Sequence, residues 1–151
     1  MSPANQKLIN FMNQLLSNQF VMYVKLHRYH WYIQGKHFFQ LHATFEEMYN
    51  LFAEQLDETA ERILMIKGKP LATMSKYLKE STLEEATADD KENEMMQQLK
   101  KDYEQMITEI RDTGLPLANE LKDEPTADLL ISTQRAYEKY VWMLDAVTAY
   151  E

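Results

Sequence analysis

The sequence predicts an all-α protein: a four-helix bundle whose long B–C crossover connection carries a short helix. Three observations predict it. Glycine is scarce, with 3 in 151 residues, beside 4 prolines, whereas a β-rich chain of this length needs many more turn residues. Apolar residues recur at three- and four-residue steps over four long runs. The interruption between the second and third runs, residues 69–88, is long enough to cross a bundle.

The first helix is expected over about 4–33, from Leu8, Met12, Leu15, Leu16, Phe20, Tyr23, Val24, His27 and Trp31, with Gly35 ending it. The second is expected over 37–66, from Leu41, Phe45, Met48, Leu51, Phe52, Leu56, Ala60, Ile63 and Leu64. Gly68 and Pro70 supply its stop chemistry. The connection mixes Pro70, Thr73, Ser75, Ser81 and Thr82 with a short amphipathic piece at Met74 to Lys79. The third helix is expected over 89–113 from Met95, Leu99, Tyr103, Met106 and Ile110, capped by Asp89 or Asp90. Gly114 and Pro116 should interrupt it, with Leu115 to Leu121 resuming as a kinked extension. Lys122-Asp123-Glu124-Pro125 reads as a turn with Pro at the first helical position. The fourth helix then runs to about 149 through Leu129, Leu130, Thr133, Tyr137, Tyr140, Val141, Leu144 and Val147. With no internal repeat and no low-complexity segment, residues 1–151 read as a single domain.

Composition excludes several function classes. Hydrophobic residues are 45% and charged residues 26%, a soluble globular balance. Against 16 Lys+Arg stand 24 Asp+Glu, a net charge of -8, so the surface repels phosphate backbones and attracts cations. Zero Cys excludes disulfides, thiolate zinc sites, iron–sulfur clusters and a Cys nucleophile. A transition metal would have to be held by His and carboxylates. The start Met1-Ser2-Pro3-Ala4-Asn5-Gln6 lacks the pattern of a secretory signal, and no apolar stretch approaches the roughly 18 residues of a membrane span. The cytoplasm is the expected compartment.

All four His (His27, His30, His37 and His42) fall within 16 consecutive residues. The second helix carries His42 and Glu46 four apart, then Asp57 and Glu61 four apart. Residues at i and i+4 share a helix face. The four positions lie roughly at 0°, 40°, 60° and 100° around the axis, one polar stripe, yet Glu46 and Asp57 are about 16 Å apart along it. One helix therefore cannot bring both pairs to one ion. An antiparallel copy across a two-fold axis near Leu51 and Phe52 can, and it makes two identical sites per dimer. With His30 from the end of the first helix, the set becomes two imidazoles and three carboxylates, which suits Fe(II), Mn(II) or Zn(II).

Tyr29-His30-Trp31-Tyr32, Gly35, Phe38-Phe39, Leu41-His42, Asp57-Glu58 and Ala60-Glu61-Arg62 together resemble the Dps family of mini-ferritins. A weaker likeness covers the connection, Thr126-Ala127-Asp128 and Trp142-Met143, so the resemblance spans nearly the whole chain. It implies a ferritin-like four-helix bundle assembling as a hollow homododecamer. Ferroxidase centres would lie at two-fold interfaces, with His30, His42 and Glu46 from one subunit and Asp57 and Glu61 from its partner. It further implies that Fe(II) is oxidised, preferentially with hydrogen peroxide, and stored as Fe(III) mineral, which protects against oxidative damage.

Glu46 departs from the family, which commonly has Asp there. The two-iron centre is therefore expected to bind one iron firmly and the second weakly. Trp31 has two readings, a core aromatic or an electron donor beside the centre. By resemblance, acidic residues around Glu120, Asp123, Glu124 and Asp128 line three-fold pores for Fe(II), with Glu124 and Asp128 ahead of Asp123. Some family members condense DNA through a Lys-rich tail. This chain has Lys7 alone in its first 20 residues and ends Ala149-Tyr150-Glu151, so little or no DNA binding is expected. The alternative function is a non-catalytic DNA-protecting or structural helical shell protein.

Overall fold

The structure is a computed structural model that describes residues 2–87 and 91–149. Its helices are α1 (Pro3–Tyr32), α2 (Phe38–Met65), α3 (Met74–Glu80), α4 (Glu92–Glu109), α5 (Leu115–Glu120) and α6 (Glu124–Thr148). There is no strand among the described residues. Four long helices and a crossover with a short helix match the expected architecture.

Ends that meet fix the topology. His37, just before α2, is hydrogen-bonded to Glu92 at the start of α4. Those two helices therefore begin at the same end of the bundle. At the opposite end, Arg62 near the close of α2 reaches Asp123 at the start of α6. The connection from α2 to α4 must traverse the bundle between them, and α3 lies against α1 on the way, with Phe20 and Tyr77 stacked at 4.1 Å. Asn18, buried within α1, pins the connection. Its carbonyl accepts from the Ser81 hydroxyl and the Thr82 N–H, while its amide donates to Glu109 on α4.

Helix ends show why the boundaries fall where they do. Ser2 caps α1 by accepting from the Asn5 N–H at 3.1 Å, with Pro3 at the first helical position. The close of α2 departs from the sequence reading. The left-handed residue is Lys67 (φ 70°), not Gly68. The N–H groups of Gly68 and Lys67 return to the Ile63 and Leu64 carbonyls, a Schellman cap with Lys at the left-handed position. Lys122 (φ 56°) repeats this geometry at the close of α5. Asp89 and Asp90 lie outside the described residues; the residue that flanks α4 is Lys91, whose N–H donates to Glu94. Asp123 caps α6, so Pro125 takes the second helical position and not the first.

Gly114 and Pro116 do not break the third long helix. Residues Ile110–Gly114 widen into a π-helical turn that leads directly into α5. Pro116 lacks an N–H to donate, and the wider turn accommodates it. Gly114 is required for another reason: a Cβ there would collide with the Phe11 ring of α1.

The core joins all four long helices through Leu8, Met12, Leu16, Phe45, Met48, Phe52, Leu99, Tyr103, Met106, Leu130, Tyr137 and Leu144. At its centre the Tyr137 hydroxyl donates to Gln55 of α2 and accepts from Gln19 of α1. The stripe read along α1 is corrected beyond Phe20. Val24 and Trp31 are exposed, and the core face runs instead through Met22, Leu26, Tyr29 and Ile33. Both tracks are apolar at helical spacing, and the position of α2 selects one of them. Leu64 and Val147 are likewise exposed.

Candidate metal centre

The short turn between α1 and α2 brings His30 and His42 face to face. Their rings stack at 3.7 Å with an interplanar angle of 10°. Each ring bonds across to the other residue's backbone: His30 Nδ1 to the His42 carbonyl at 2.6 Å, and His42 Nδ1 to the His30 carbonyl at 2.7 Å. A carbonyl oxygen can only accept, so both Nδ1 atoms carry the proton and both lone pairs sit on Nε2. This is the arrangement that orients metal-ligating imidazoles. His30 is 8% exposed, and His42 is half-buried beneath the Phe38 ring.

Gly35 lets the chain turn between these helices. Its φ of 140° suits glycine, and a Cβ would meet the Glu92 carboxylate. That carboxylate accepts from the His37 N–H at 2.9 Å and from His37 Nδ1 at 3.0 Å. Burial pushes Glu92 up, but the bonds from His37 outweigh it and hold the carboxyl below its ordinary value. His37 thus fastens the turn from outside the His30–His42 pair.

Glu46 lies one turn along α2 from His42, exposed, and accepts a hydrogen bond from the Tyr49 hydroxyl at 3.3 Å. The Tyr49 ring stands edge-on to His30 at 5.4 Å and stacks on His27 at 3.7 Å. His27 is held through Nδ1 to the Tyr23 carbonyl at 2.7 Å. Burial and the Glu46 carboxylate push the Tyr49 phenol up, so it remains a protonated donor near neutral pH. The sequence reading missed Tyr49. Its signal was present as spacing, three residues beyond Glu46 and seven beyond His42 on one helix face.

Asp57 and Glu61 are also exposed on α2, further along the same helix. Among the described residues, no three His, Asp or Glu side chains of one chain form a group able to hold a metal. The fold brings His30 and His42 together, with Glu46 one turn further along α2; Asp57 and Glu61 lie beyond, as the axial spacing requires. Trp31 is 67% exposed, so the core-aromatic reading fails for the single chain. Its ring meets His27 at 5.5 Å.

At the other end, Glu124 and Asp128 are exposed on the first turns of α6, and Glu120 is exposed at the end of α5. Asp123 is already engaged. It caps Thr126 and pairs with Arg62 at 2.9 Å, while Arg62 also donates to the Thr126 hydroxyl. Burial raises Asp123, but the Thr126 and Arg62 interactions outweigh it and hold the carboxyl below its ordinary value. A cleft between α2 and α6 lined by Glu58, Glu61, Arg62 and Asp128 connects this end to Glu61.

The fold and the locked histidine pair define a ferritin-like class of protein. The family model of the ferritin-like domain matches residues 9–150. A DNA protection during starvation protein 2 from Bacillus anthracis is 42% identical over 94% of this chain and 97% of its own length. The crystal structure of a Dps protein from Bacillus brevis superposes with a TM-score of 0.95 at 37% identity, covering 97% of this chain and 98% of that one. A Dps structure from Vibrio cholerae O1 is described as belonging to a broad superfamily of ferritin-like diiron-carboxylate proteins. It gives a TM-score of 0.90 at 43% identity over 95% of this chain and 89% of its own. The chain belongs to the Dps family of ferritin-like proteins. No helix among the described residues is long and apolar enough to cross a membrane.

Proposed function

We propose that this protein is a cytoplasmic iron-storing ferroxidase, one ferritin-like domain over residues 1–151 that assembles as a hollow homododecamer. Fe(II) is its substrate and the Fe(III) mineral its cargo, with hydrogen peroxide the preferred oxidant. The observation that carries this reading is the reciprocal clamp of His30 and His42, which engages both Nδ1 atoms and leaves Nε2 of each ring as the nitrogen for a metal. Imidazole nitrogen with carboxylate oxygen is a donor set that fits iron.

Each centre is built by two chains, His30, His42 and Glu46 from one and Asp57 and Glu61 from the other. Iron supplies the electrons for peroxide reduction. The carboxylates neutralise its charge and favour the higher oxidation state, while the clamped imidazoles fix geometry without rearrangement. Glu46 is longer than the usual Asp and is engaged by Tyr49, so the second iron of each centre is held weakly. Glu124 and Asp128 draw Fe(II) into three-fold pores, and Asp123 serves Arg62 and the helix cap. The net charge of -8 opposes DNA, and a gel shift near neutral pH and physiological salt is expected to show no stable complex.

Replacing Asp57 and Glu61 together by Ala tests the reading. Rapid Fe(II) oxidation by peroxide should be lost while sedimentation velocity still shows a large shell. Wild-type oxidation rates in that variant, or a small wild-type species that precipitates with iron, would overturn it.

A further inference from the structure

Peroxide accepts two electrons, and one Fe(II) supplies one. A centre whose second iron position is weak meets peroxide with a single Fe(II) bound, and the missing electron must come from elsewhere or a hydroxyl radical escapes. The aromatic groups around the site differ in their fitness to supply it. Trp31 is exposed, and its ring partner here is His27. Tyr23 is one ring further out, 6.0 Å from Tyr49. Tyr49 is bonded directly to Glu46 and lies edge-on to His30, so it touches two of the groups proposed to hold iron.

We infer that Tyr49 is the electron donor that completes peroxide reduction when a centre holds one Fe(II), with its phenolic proton leaving along the hydrogen bond to Glu46. The inference rests on the ferroxidase reading above. The step balances: Fe(II), the tyrosine phenol and H2O2 give Fe(III), a tyrosyl radical, hydroxide and water. Iron and the phenol each lose one electron, the O–O bond takes both, and the phenolic proton ends in the water. Glu46 relays that proton because it accepts the phenol's hydrogen bond before the electron leaves. Stacking on His27 at 3.7 Å holds the ring in place through the change.

The test uses the assembled protein, loaded anaerobically with one Fe(II) per centre, mixed with one equivalent of peroxide and freeze-quenched for electron paramagnetic resonance. A tyrosyl signal is expected that narrows with ring-deuterated tyrosine and is unchanged by deuterated tryptophan. Tyr49→Phe should lose it with shell size and helical content retained, whereas Tyr23→Phe should keep it. If Tyr49→Phe fails to assemble, difluorotyrosine placed at position 49 preserves the ring and should add fluorine splittings to the signal. A signal that persists in Tyr49→Phe, lacks those splittings, or responds to tryptophan deuteration overturns the inference. Wild-type protein that oxidises Fe(II) without a tyrosyl signal overturns the inference alone. Wild-type protein that leaves Fe(II) unoxidised by peroxide overturns the ferroxidase reading and this inference with it.

Discussion

Removing one member of the Lys25–Asp102 pair should be far more damaging than removing both. Lys25 Nζ lies 2.9 Å from Asp102 Oδ2, with side chains 2% and 5% exposed. The pair ties α1 to α4, and the exposed Gln98 amide donates to the second Asp102 oxygen at 3.0 Å. Asp102→Asn leaves the buried Lys25 ammonium without its partner anion, and breaking a buried pair in this way costs about 3–5 kcal/mol. Lys25→Met combined with Asp102→Leu should be neutral or stabilising by up to about 4 kcal/mol. The coupling energy of the cycle is then several kcal/mol.

The single changes also separate by pH. Burial pushes Asp102 above its ordinary value, and Lys25 and Gln98 only partly offset it. Lys25→Met removes the main offset, so the folded value rises further. A raised carboxyl means the folded state binds the proton more tightly. Its stability is fullest below the ordinary value of 3.8 and is lost as pH rises through the folded value. Lys25→Met should therefore recover stability as pH falls from neutral toward 3.8, relative to Asp102→Asn, which has no carboxyl to protonate. Denaturant unfolding followed by circular dichroism, at matched subunit concentration, measures both effects. An Asp102→Asn cost below about 1 kcal/mol, the range of a solvated surface pair, or an additive cycle would refute the reasoning.

Asp123 behaves in the opposite sense. Its lowered value means that its contribution is present above 3.8 and is lost as pH falls through the lower folded value. Asp123→Asn keeps a capping side chain but loses the charge that faces Arg62, so it should cost about 1.5–3 kcal/mol near neutral pH and converge on wild type in acid unfolding titrations. Gly114→Ala should lower stability by about 1–3 kcal/mol through overpacking against Phe11. Phe11→Leu in the same chain should relieve part of that loss, measured as the shift in the denaturation midpoint.

Periodicity alone carried most of the architecture. Met95, Leu99, Tyr103, Met106 and Ile110 repeat on a single face, and all five are buried. Along α1 the same reasoning faltered because two apolar tracks run side by side, and local spacing has no means of choosing between them. The π-helical turn at Ile110–Gly114 was hidden for a related reason. Gly and Pro signal an interruption but not its form, and the contact that requires Gly114 comes from Phe11 of α1.

The candidate site divides the same way. His42 and Glu46 sit four apart and Asp57 and Glu61 repeat that spacing, with an axial gap too long for one ion. The sequence by itself therefore determined the all-helical class, the order of elements and the separation of the two pairs along α2, because helical rise and turn are fixed by the backbone. Only the tertiary structure decided which tautomer His30 and His42 adopt, that Asp123 serves Arg62, that Trp31 is exposed and that the Tyr49 ring meets His27 and His30. Those depend on groups brought together by the turn at Gly35, the packing of α1 on α2 and the meeting of α2 with α6, and no spacing along a single helix encodes what a neighbouring helix presents to it.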